Sequence, residues 1–249
     1  MELQNILTEI DSLKNTLQQY RHLQNEKVNI AFELEYTYES NRIEGNTLTL
    51  QETALVVEKG LTIGGKSLQE HLEAINHTYA LDYVKSLVQD KTPINETILL
   101  NIHKLILQSI DNTNAGTYRK VQVMISGAKH IPPQPFLVPV QMEGLFIWYN
   151  EKKDILNPVL LAAELHERLV TIHPFIDGNG RTSRLLMNLI LLQHGYPIAI
   201  LKGDTTNRLQ YYTALETAQT TDNKQPFLLL IANNVKETLE RVLKIVSVV

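Results

Sequence analysis

The spacing of apolar residues constrains the fold of this chain most, because it repeats at three and four positions along most of the sequence. Such spacing places apolar side chains on one face of an α-helix. Near the N-terminus the pattern is carried by Leu3, Ile6, Ile10, Leu13, Leu17 and Tyr20. Near the C-terminus it recurs at Leu230, Val235, Leu239, Val242 and Ile245. The sequence therefore predicts an all-α fold, a helical bundle around one large core or two small ones.

Helix boundaries are marked by local sequence signals. The segments Thr49–Glu52 and Ser67–Glu70 each place a hydroxyl residue three positions before a glutamate, which is the pattern of a capping box at a helix start. Gly45 is the residue type favoured just past a helix end, and it closes a helical stretch that begins near Val28. Thr92-Pro93 predicts the start of a further helix, because proline suits the first helical turn.

One segment departs from the helical pattern. Val121, Val123 and Ile125 alternate with other side chains, which is the period of a β-strand. Ser126-Gly127 offers a turn, and His130-Ile-Pro-Pro133 ends the stretch. We therefore expect one small β-hairpin in an otherwise helical chain.

Composition excludes several classes of function. The 249 residues carry a formal charge of −4 and no Lys/Arg-rich run, so we expect no nucleic-acid partner. The chain has no cysteine, which excludes disulfides and a cysteine nucleophile. It has neither a signal-peptide core nor an apolar run of membrane-spanning length, and we expect a soluble cytoplasmic protein with no membrane partner. The N-terminal apolar seam predicts a helix packed on its own domain, and a dimeric coiled coil, hence a homodimer, stays open as the alternative.

The most informative segment is the loop Asp177-Gly-Asn-Gly180, which joins two predicted helices. Its glycines permit backbone conformations in which successive N–H groups point into one concavity and bind an anion at a helix start. Arg181 and Arg184 follow in the first turn, where the helix dipole disfavours cations. A bound polyphosphate would resolve that conflict.

Two further side chains suit the same chemistry. His173 precedes the loop, and imidazole is well matched near neutral pH to accepting a proton from an attacking hydroxyl. Asp177 could hold Mg²⁺, which prefers one or two carboxylates together with phosphate oxygens. The plainer alternative makes His173 a helix-end residue, Asp177 an N-cap and the arginines a solvated face. A turn needs no base before it, however, so the combination favours phosphoryl-type transfer.

The segment His173-Pro-Phe-Ile-Asp-Gly-Asn-Gly-Arg-Thr-Ser-Arg184 resembles the signature of the Fic family of AMP-transferases at every fixed position. The resemblance implies that His173 is the catalytic base and Asp177 the Mg²⁺ ligand. It implies that Arg181 and Arg184 contact the β- and γ-phosphates of ATP. It also implies an all-helical Fic fold with one small hairpin. The implied nucleotide-binding residues of the loop and helix are Gly178, Asn179, Gly180, Arg181, Thr182, Ser183 and Arg184.

The resemblance extends over roughly residues 30–235. Gly116-Thr-Tyr-Arg119 and the expected hairpin resemble the flap of the family, which pins a segment of the target protein by strand addition, so a target is expected to dock near Val121–His130. Tyr211 and Tyr212 resemble the pair on the adenine side. At Gln219 the family carries an asparagine that touches adenine, and this departure puts base preference in doubt. The alternative for these three residues is an ordinary helix face.

The segment Ser40-Asn-Arg-Ile-Glu-Gly45 resembles the inhibitory motif of a Fic subclass. Glu44 falls at a helix end where the dipole disfavours an anion, which mirrors the conflict at Arg184. An ion pair between the two would relieve both and would occupy the seat of the γ-phosphate. The alternative is an exposed helix-end acid. Residues 1–66 are accordingly expected to form a helical region with the inhibitory helix, and residues 67–249 the Fic catalytic core.

The leading hypothesis is a protein adenylyltransferase that moves AMP from ATP to a Ser, Thr or Tyr hydroxyl and is inhibited by Glu44. Removal of AMP, with Glu44 positioning water, and a catalytically vestigial nucleotide sensor are the alternatives. The segment Gly60–Ser67 also matches a P-loop pattern letter for letter. A P-loop must follow a buried strand, whereas a capped helix is predicted before Gly60, so this match is set aside.

Overall fold

The computed structural model describes residues 1–20 and 26–247, and ten α-helices run through these residues. The predicted helical bundle is confirmed. A short 3₁₀ turn, Pro135–Leu137, precedes the sixth helix. The helices are α1 Glu2–Gln19, α2 Glu26–Ile43, α3 Leu50–Lys59, α4 Leu68–Gln89, α5 Glu96–Leu107, α6 Val138–Lys152, α7 Pro158–Ile172, α8 Asn179–Gln193, α9 Thr205–Thr221 and α10 Gln225–Val246.

The local signals for helix starts were largely correct. Thr49 and Ser67 both form reciprocal capping boxes with the glutamates three residues later. Helix α5 begins later than Thr92-Pro93 predicted, because the Asn95 side chain accepts a hydrogen bond from Ile98 N at 3.1 Å and caps the helix there. The P-loop-like segment joins helix α3 to helix α4, and the Lys66 ammonium donates to the Thr47 carbonyl. The Lys66 side chain therefore stabilises the folded chain.

Helix α8 lies at the centre of the molecule. It packs on α7, α4 and α5, and nearly all of its side chains are buried. A helix that is buried on all sides is normally apolar all round. Here the first turn carries Arg181 and Arg184, which are only 2% and 1% exposed. Two buried cations at the start of a central helix require specific partners, since an unpaired buried charge is costly.

The N-terminal helices surround this centre. Helix α1 packs along α10, while α2 packs against α4 and reaches the start of α8. One continuous hydrophobic cluster includes buried residues from each of the ten helices except α3, among them Ile10, Phe227 and Leu239. Val56 of α3 packs in a smaller cluster with Leu48 and Ala74. None of the described helices is both long enough and apolar enough to cross a membrane.

The predicted β-hairpin between Val121 and His130 was wrong, because residues 121–130 contain no strand. The turn at Ser126-Gly127 is present, and Ala128 N donates to Ile125 O at 3.1 Å. Pro132 and Pro133 lack the N–H groups that a ladder requires. Side chains join the two arms instead, and Gln122 Nε2 donates to Pro132 O at 2.9 Å. We use the term flap for this irregular segment, residues 119–134.

Candidate active site

The site begins where helix α7 ends. His173 terminates this helix in the left-handed conformation, with φ 50° and ψ 58°, and its N–H closes the last turn on Leu169 O at 2.9 Å. Pro174 follows and cannot extend the helix. A left-handed histidine is strained relative to a glycine, so its neighbours must hold it in place. The imidazole of His173 therefore lies at the entrance to the loop, and its direction is set by these neighbours.

Asn179 fixes the loop from within. Its side-chain oxygen accepts from Phe175 N at 3.0 Å and its side-chain nitrogen donates to Phe175 O at 2.9 Å. These two hydrogen bonds of the Asn179 side chain hold the loop against Phe175. The backbone N–H of Asn179 belongs to the first turn of α8. Gly178 adopts φ +76°, which only glycine takes up readily.

His103, which the sequence analysis missed, supports the loop from below. Gly116 N donates to His103 Nδ1 at 2.9 Å, so the proton lies on Nε2, which donates to Asp177 O at 2.9 Å. The ring stacks on Phe175 with centroids 3.6 Å apart. Only the placement of His103 on the buried face of α5, four residues after Leu99, distinguished it in the sequence.

Arg181 lies between two carboxylates. Its Nη2 donates to Asp177 Oδ2 at 3.1 Å, and its Nη1 lies 3.6 Å from Glu73 Oε1 on helix α4. The Asp177 side chain is 57% exposed at the mouth of the loop, and its other oxygen accepts from Gly178 N at 2.6 Å. Asp177 is not the N-cap of α8, because Gly178 occupies that position without a side-chain cap.

Arg184 is paired with Glu44, as the two helix-end conflicts predicted. Nη2 of Arg184 donates to Glu44 Oε1 at 2.7 Å. The same guanidinium donates to Ser40 through Nε to Oγ at 3.0 Å and through Nη2 to the carbonyl at 2.9 Å. Glu44 lies one residue beyond α2, in the turn before Gly45, and its side chain is 31% exposed.

The start of α8 has no room for a side chain at position 180. A Cβ on Gly180 would lie 2.3 Å from Glu44 Oε1 and 3.0 Å from Arg184 Nη1. The carboxylate therefore lies directly against the backbone at the helix N-terminus, which is where a helix binds anions.

Comparison with known proteins agrees with this geometry. Residues 93–191 match the model of the Fic/DOC family. The chain is 31% identical to a Fic domain containing signaling protein from Bacteroides thetaiotaomicron, with a TM-score of 0.85 over 96% of this chain and 98% of that one. The chain belongs to the Fic/DOC family.

Other relatives are longer than this Fic chain. Fic-1 from C. elegans superposes with a TM-score of 0.88 at 31% identity, over 99% of this chain and 73% of that one. A protein adenylyltransferase Fic from Drosophila grimshawi is 40% identical over 207 residues, which is 83% of this chain. The chain spans only 42% of the length of that adenylyltransferase.

Tyr211 and Tyr212 of the Fic chain lie side by side, with ring centroids 5.3 Å apart, and Gln219 follows on the same helix α9. Tyr211 is 2% exposed, and its hydroxyl lies 2.8 Å from Nε2 of the fully buried His166. Tyr212 is half-exposed and donates to Ile43 O at 3.2 Å, next to Glu44. Gln219 lines a recess with Thr171, Lys224 and Ile172, the residue before His173.

The site histidines of the Fic chain are held neutral. Burial, foremost among the causes, lowers the pKa of His173 to about 4, and the positive charge of Arg119 acts in the same direction. Burial likewise lowers the pKa of His103 to about 4, although the Asp177 carbonyl partly opposes it. Near neutral pH both rings therefore carry a lone pair, which a proton acceptor needs.

The lowered pKa values of His173 and His103 predict that the free energy of unfolding decreases in acid. Their folded-state pKa of about 4 lies below the ordinary 6.5, so the unfolded chain binds protons more readily between these values. The stabilisation is complete above about pH 6.5 and should decrease by roughly 2 kcal/mol per histidine by pH 5. Denaturant unfolding of the wild type and His103→Gln at pH 7 and pH 5 measures this. The variant should lose less stability on acidification, and equal losses would show that His103 does not titrate in this range.

Proposed function

We propose that this Fic chain transfers AMP from ATP to a Ser, Thr or Tyr hydroxyl of a protein. One arrangement carries the proposal. Two buried arginines, Arg181 and Arg184, lie at the N-terminus of a central helix, one short loop after His173, which is held neutral. Phosphoryl-type transfer needs positioning and charge stabilisation, and this arrangement offers both. The resemblance to a named adenylyltransferase supports the same reaction.

ATP would bind with its polyphosphate at the start of α8. The first N–H groups of a helix have no partner within it, and here they belong to Asn179, Gly180 and Arg181. Arg181 and Arg184 would hold the β- and γ-phosphates in place of their present carboxylate partners. Thr182 and Ser183 are fully buried and continue this helix turn, with Thr182 N already bonded to Gly178 O. For the adenine side we propose Tyr212 and Gln219, while Tyr211 would shape the pocket from within the core.

His173 would act as the general base. The target hydroxyl loses its proton to the imidazole as its oxygen bonds to the α-phosphorus, and the bond from that phosphorus to the β-phosphate oxygen breaks. Pyrophosphate is the leaving group, and Arg181 and Arg184 would stabilise its negative charge. A base works best with a pKa near the working pH, and the negative charge of bound ATP would raise the pKa of His173 from about 4 toward that range.

Asp177 fits a magnesium ion bound together with ATP. No group of three candidate ligands occurs among residues 1–20 and 26–247, so a cage made by the protein alone is not what the described part of the chain provides. A single exposed carboxylate beside an anion position matches the preference of Mg²⁺ for one or two carboxylates plus phosphate oxygens. The ion would neutralise phosphate charge.

Asp177→Ala should therefore raise the Mg²⁺ concentration needed for half-maximal transfer by at least about tenfold. The matched control is Asp204→Ala, because Asp204 is a true N-cap, accepting from Thr206 N and Asn207 N at the start of α9. That control should lower the melting temperature and leave the Mg²⁺ dependence unchanged. If Asp177→Ala behaves like the control, its role is structural.

The resting state would be inhibited by Glu44. The carboxylate occupies Arg184 and lies against Gly180, so the γ-phosphate and Glu44 compete for one position. We further propose that residues 1–66 form the regulatory region and residues 67–249 the catalytic core.

The target protein would dock on the flap. Val121 is 54% exposed and Met124 is 88% exposed, on an extended arm without ladder partners in residues 121–130. The backbone N–H groups of such an arm would pair with an extended target segment.

Intact-mass measurement tests the proposed reaction. Glu44→Gly protein incubated with ATP and Mg²⁺ should gain the mass of one or more AMP groups on its own hydroxyls or on an added target. A mass gain of one phosphate would show that this chain transfers the γ-phosphate of ATP instead of AMP. An unchanged mass of both proteins would contradict transfer.

A further inference from the structure

Arg119 joins three separate segments of the chain through one buried guanidinium. Its Nε donates to His173 O at 2.8 Å, its Nη1 to Val121 O at 3.1 Å and its Nη2 to Pro133 O at 2.6 Å. The residue is 3% exposed. All three side-chain bonds go to backbone carbonyls rather than to a carboxylate. Burying a cation is costly, and the directional bonds of the guanidinium to these carbonyl groups offset part of that cost.

The first of these contacts fixes the backbone of His173. The Arg119 side chain holds the His173 carbonyl, and Arg119 N donates to the next carbonyl, that of Pro174, at 2.9 Å. Two successive peptide groups are thereby held from outside helix α7. Because His173 is in the left-handed conformation, these restraints help to fix the direction in which its imidazole leaves the backbone.

The other two contacts hold the flap together. Val121 lies on one arm and Pro133 on the other, and the arms have no strand ladder to join them. The guanidinium supplies the cross-link that a ladder would otherwise make. Lysine could not replace it, because a single ammonium on a flexible stem does not reproduce a planar fork of five donors.

We propose that Arg119 is a positioning residue that sets the flap and His173 in register, so that a target hydroxyl seated on the flap meets the imidazole. This inference rests on the proposed AMP transfer. The guanidinium is buried and bonds to backbone carbonyls, so it would act through the backbone of both elements. Its loss should therefore reduce the rate of the chemical step far more than the affinity for ATP.

The test compares Arg119→Lys with Arg241→Lys, both in the Glu44→Gly background. Arg241 lies in helix α10, outside the flap and the loop, where it pairs with Glu35, and it serves as the matched control. For Arg119→Lys we expect kcat for AMP transfer to fall about 100-fold, as a misplacement of about 1 Å can cause, with affinity for a non-hydrolysable ATP analogue within about twofold. The control should match its parent in both. An unchanged kcat, or an equal loss of ATP affinity, would overturn the proposal.

Amide hydrogen exchange tests the coupling without any activity. In Arg119→Lys, exchange should become faster in residues 121–131 and in 173–175 together. Gln122→Ala, which removes the side-chain bonds to Val123 O and Pro132 O within the flap, should loosen the flap alone. Faster exchange confined to the flap in Arg119→Lys, or a variant that unfolds as a whole, would contradict a positioning role. If the Glu44→Gly parent transfers no AMP, the proposed reaction fails, and the exchange data still decide whether Arg119 couples the two elements.

Discussion

Replacing His173 with alanine should reduce AMP transfer by about 10²- to 10⁴-fold, the usual contribution of a general base. The imidazole would accept a proton from the target hydroxyl and makes no contact that holds ATP in the ground state. Affinity for ATP should therefore remain close to that of the parent, and the loss should appear in kcat. Transfer is best measured in the Glu44→Gly background, where inhibition does not mask the chemical step.

The matched control for this variant is His103→Gln. His103 is also a buried neutral histidine of the loop, but it faces the Asp177 carbonyl and Phe175 from below. We expect it to retain much more transfer than His173→Ala. Full transfer by His173→Ala would eliminate the base assignment, and equal losses in the two variants would reduce His173 to a second support of the loop.

Replacing Glu44 with glycine should raise transfer roughly 10- to 100-fold, which corresponds to the 1.5–3 kcal/mol of a hydrogen bond between charged groups. The variant should also melt at a lower temperature, because Arg184 is 1% exposed and loses its only carboxylate partner among the described residues. ATP with Mg²⁺ should restore part of that stability, since the phosphates would take the place of the carboxylate.

Two further variants separate inhibition from loss of a helix end. Glu44→Gln keeps the shape of the side chain without its charge and should give an intermediate rise. Glu44→Gly combined with Arg184→Ala should be inactive, because the γ-phosphate then loses its partner. Equal transfer by the wild type and Glu44→Gly would contradict the inhibitory role and leave the assignment of His173 untouched.

The distance along the sequence between interacting residues largely decided which features could be predicted. The capping boxes at Thr49 and Ser67 need only residues three positions apart, and they were predicted correctly. The pair of Glu44 and Arg184, 140 positions apart, was predicted from the resemblance of residues 40–45 to an inhibitory motif, together with the unfavourable helix-end position of each charge.

The remaining features depend on partners that only the folded chain brings together. Alternating side chains at 121–125 predicted strands, but a ladder also needs N–H donors opposite, and Pro132 and Pro133 supply none. His103, Glu73 and Arg119 act on backbone or side chains more than fifty positions away, at Asp177, Arg181 and His173. No local pattern gives the partners of such residues, so these supporting contacts of the site emerged only from the structure.

The most direct measurement of the central claim follows which end of ATP reaches protein. Glu44→Gly and Glu44→Gly/His173→Ala are incubated in parallel with ATP labelled on the α- or the γ-phosphate, at equal Mg²⁺. Our account predicts that Glu44→Gly attaches the α-label and not the γ-label, and that the double variant attaches neither at a comparable rate. Attachment of the γ-label by Glu44→Gly, or undiminished attachment of the α-label without His173, would contradict it.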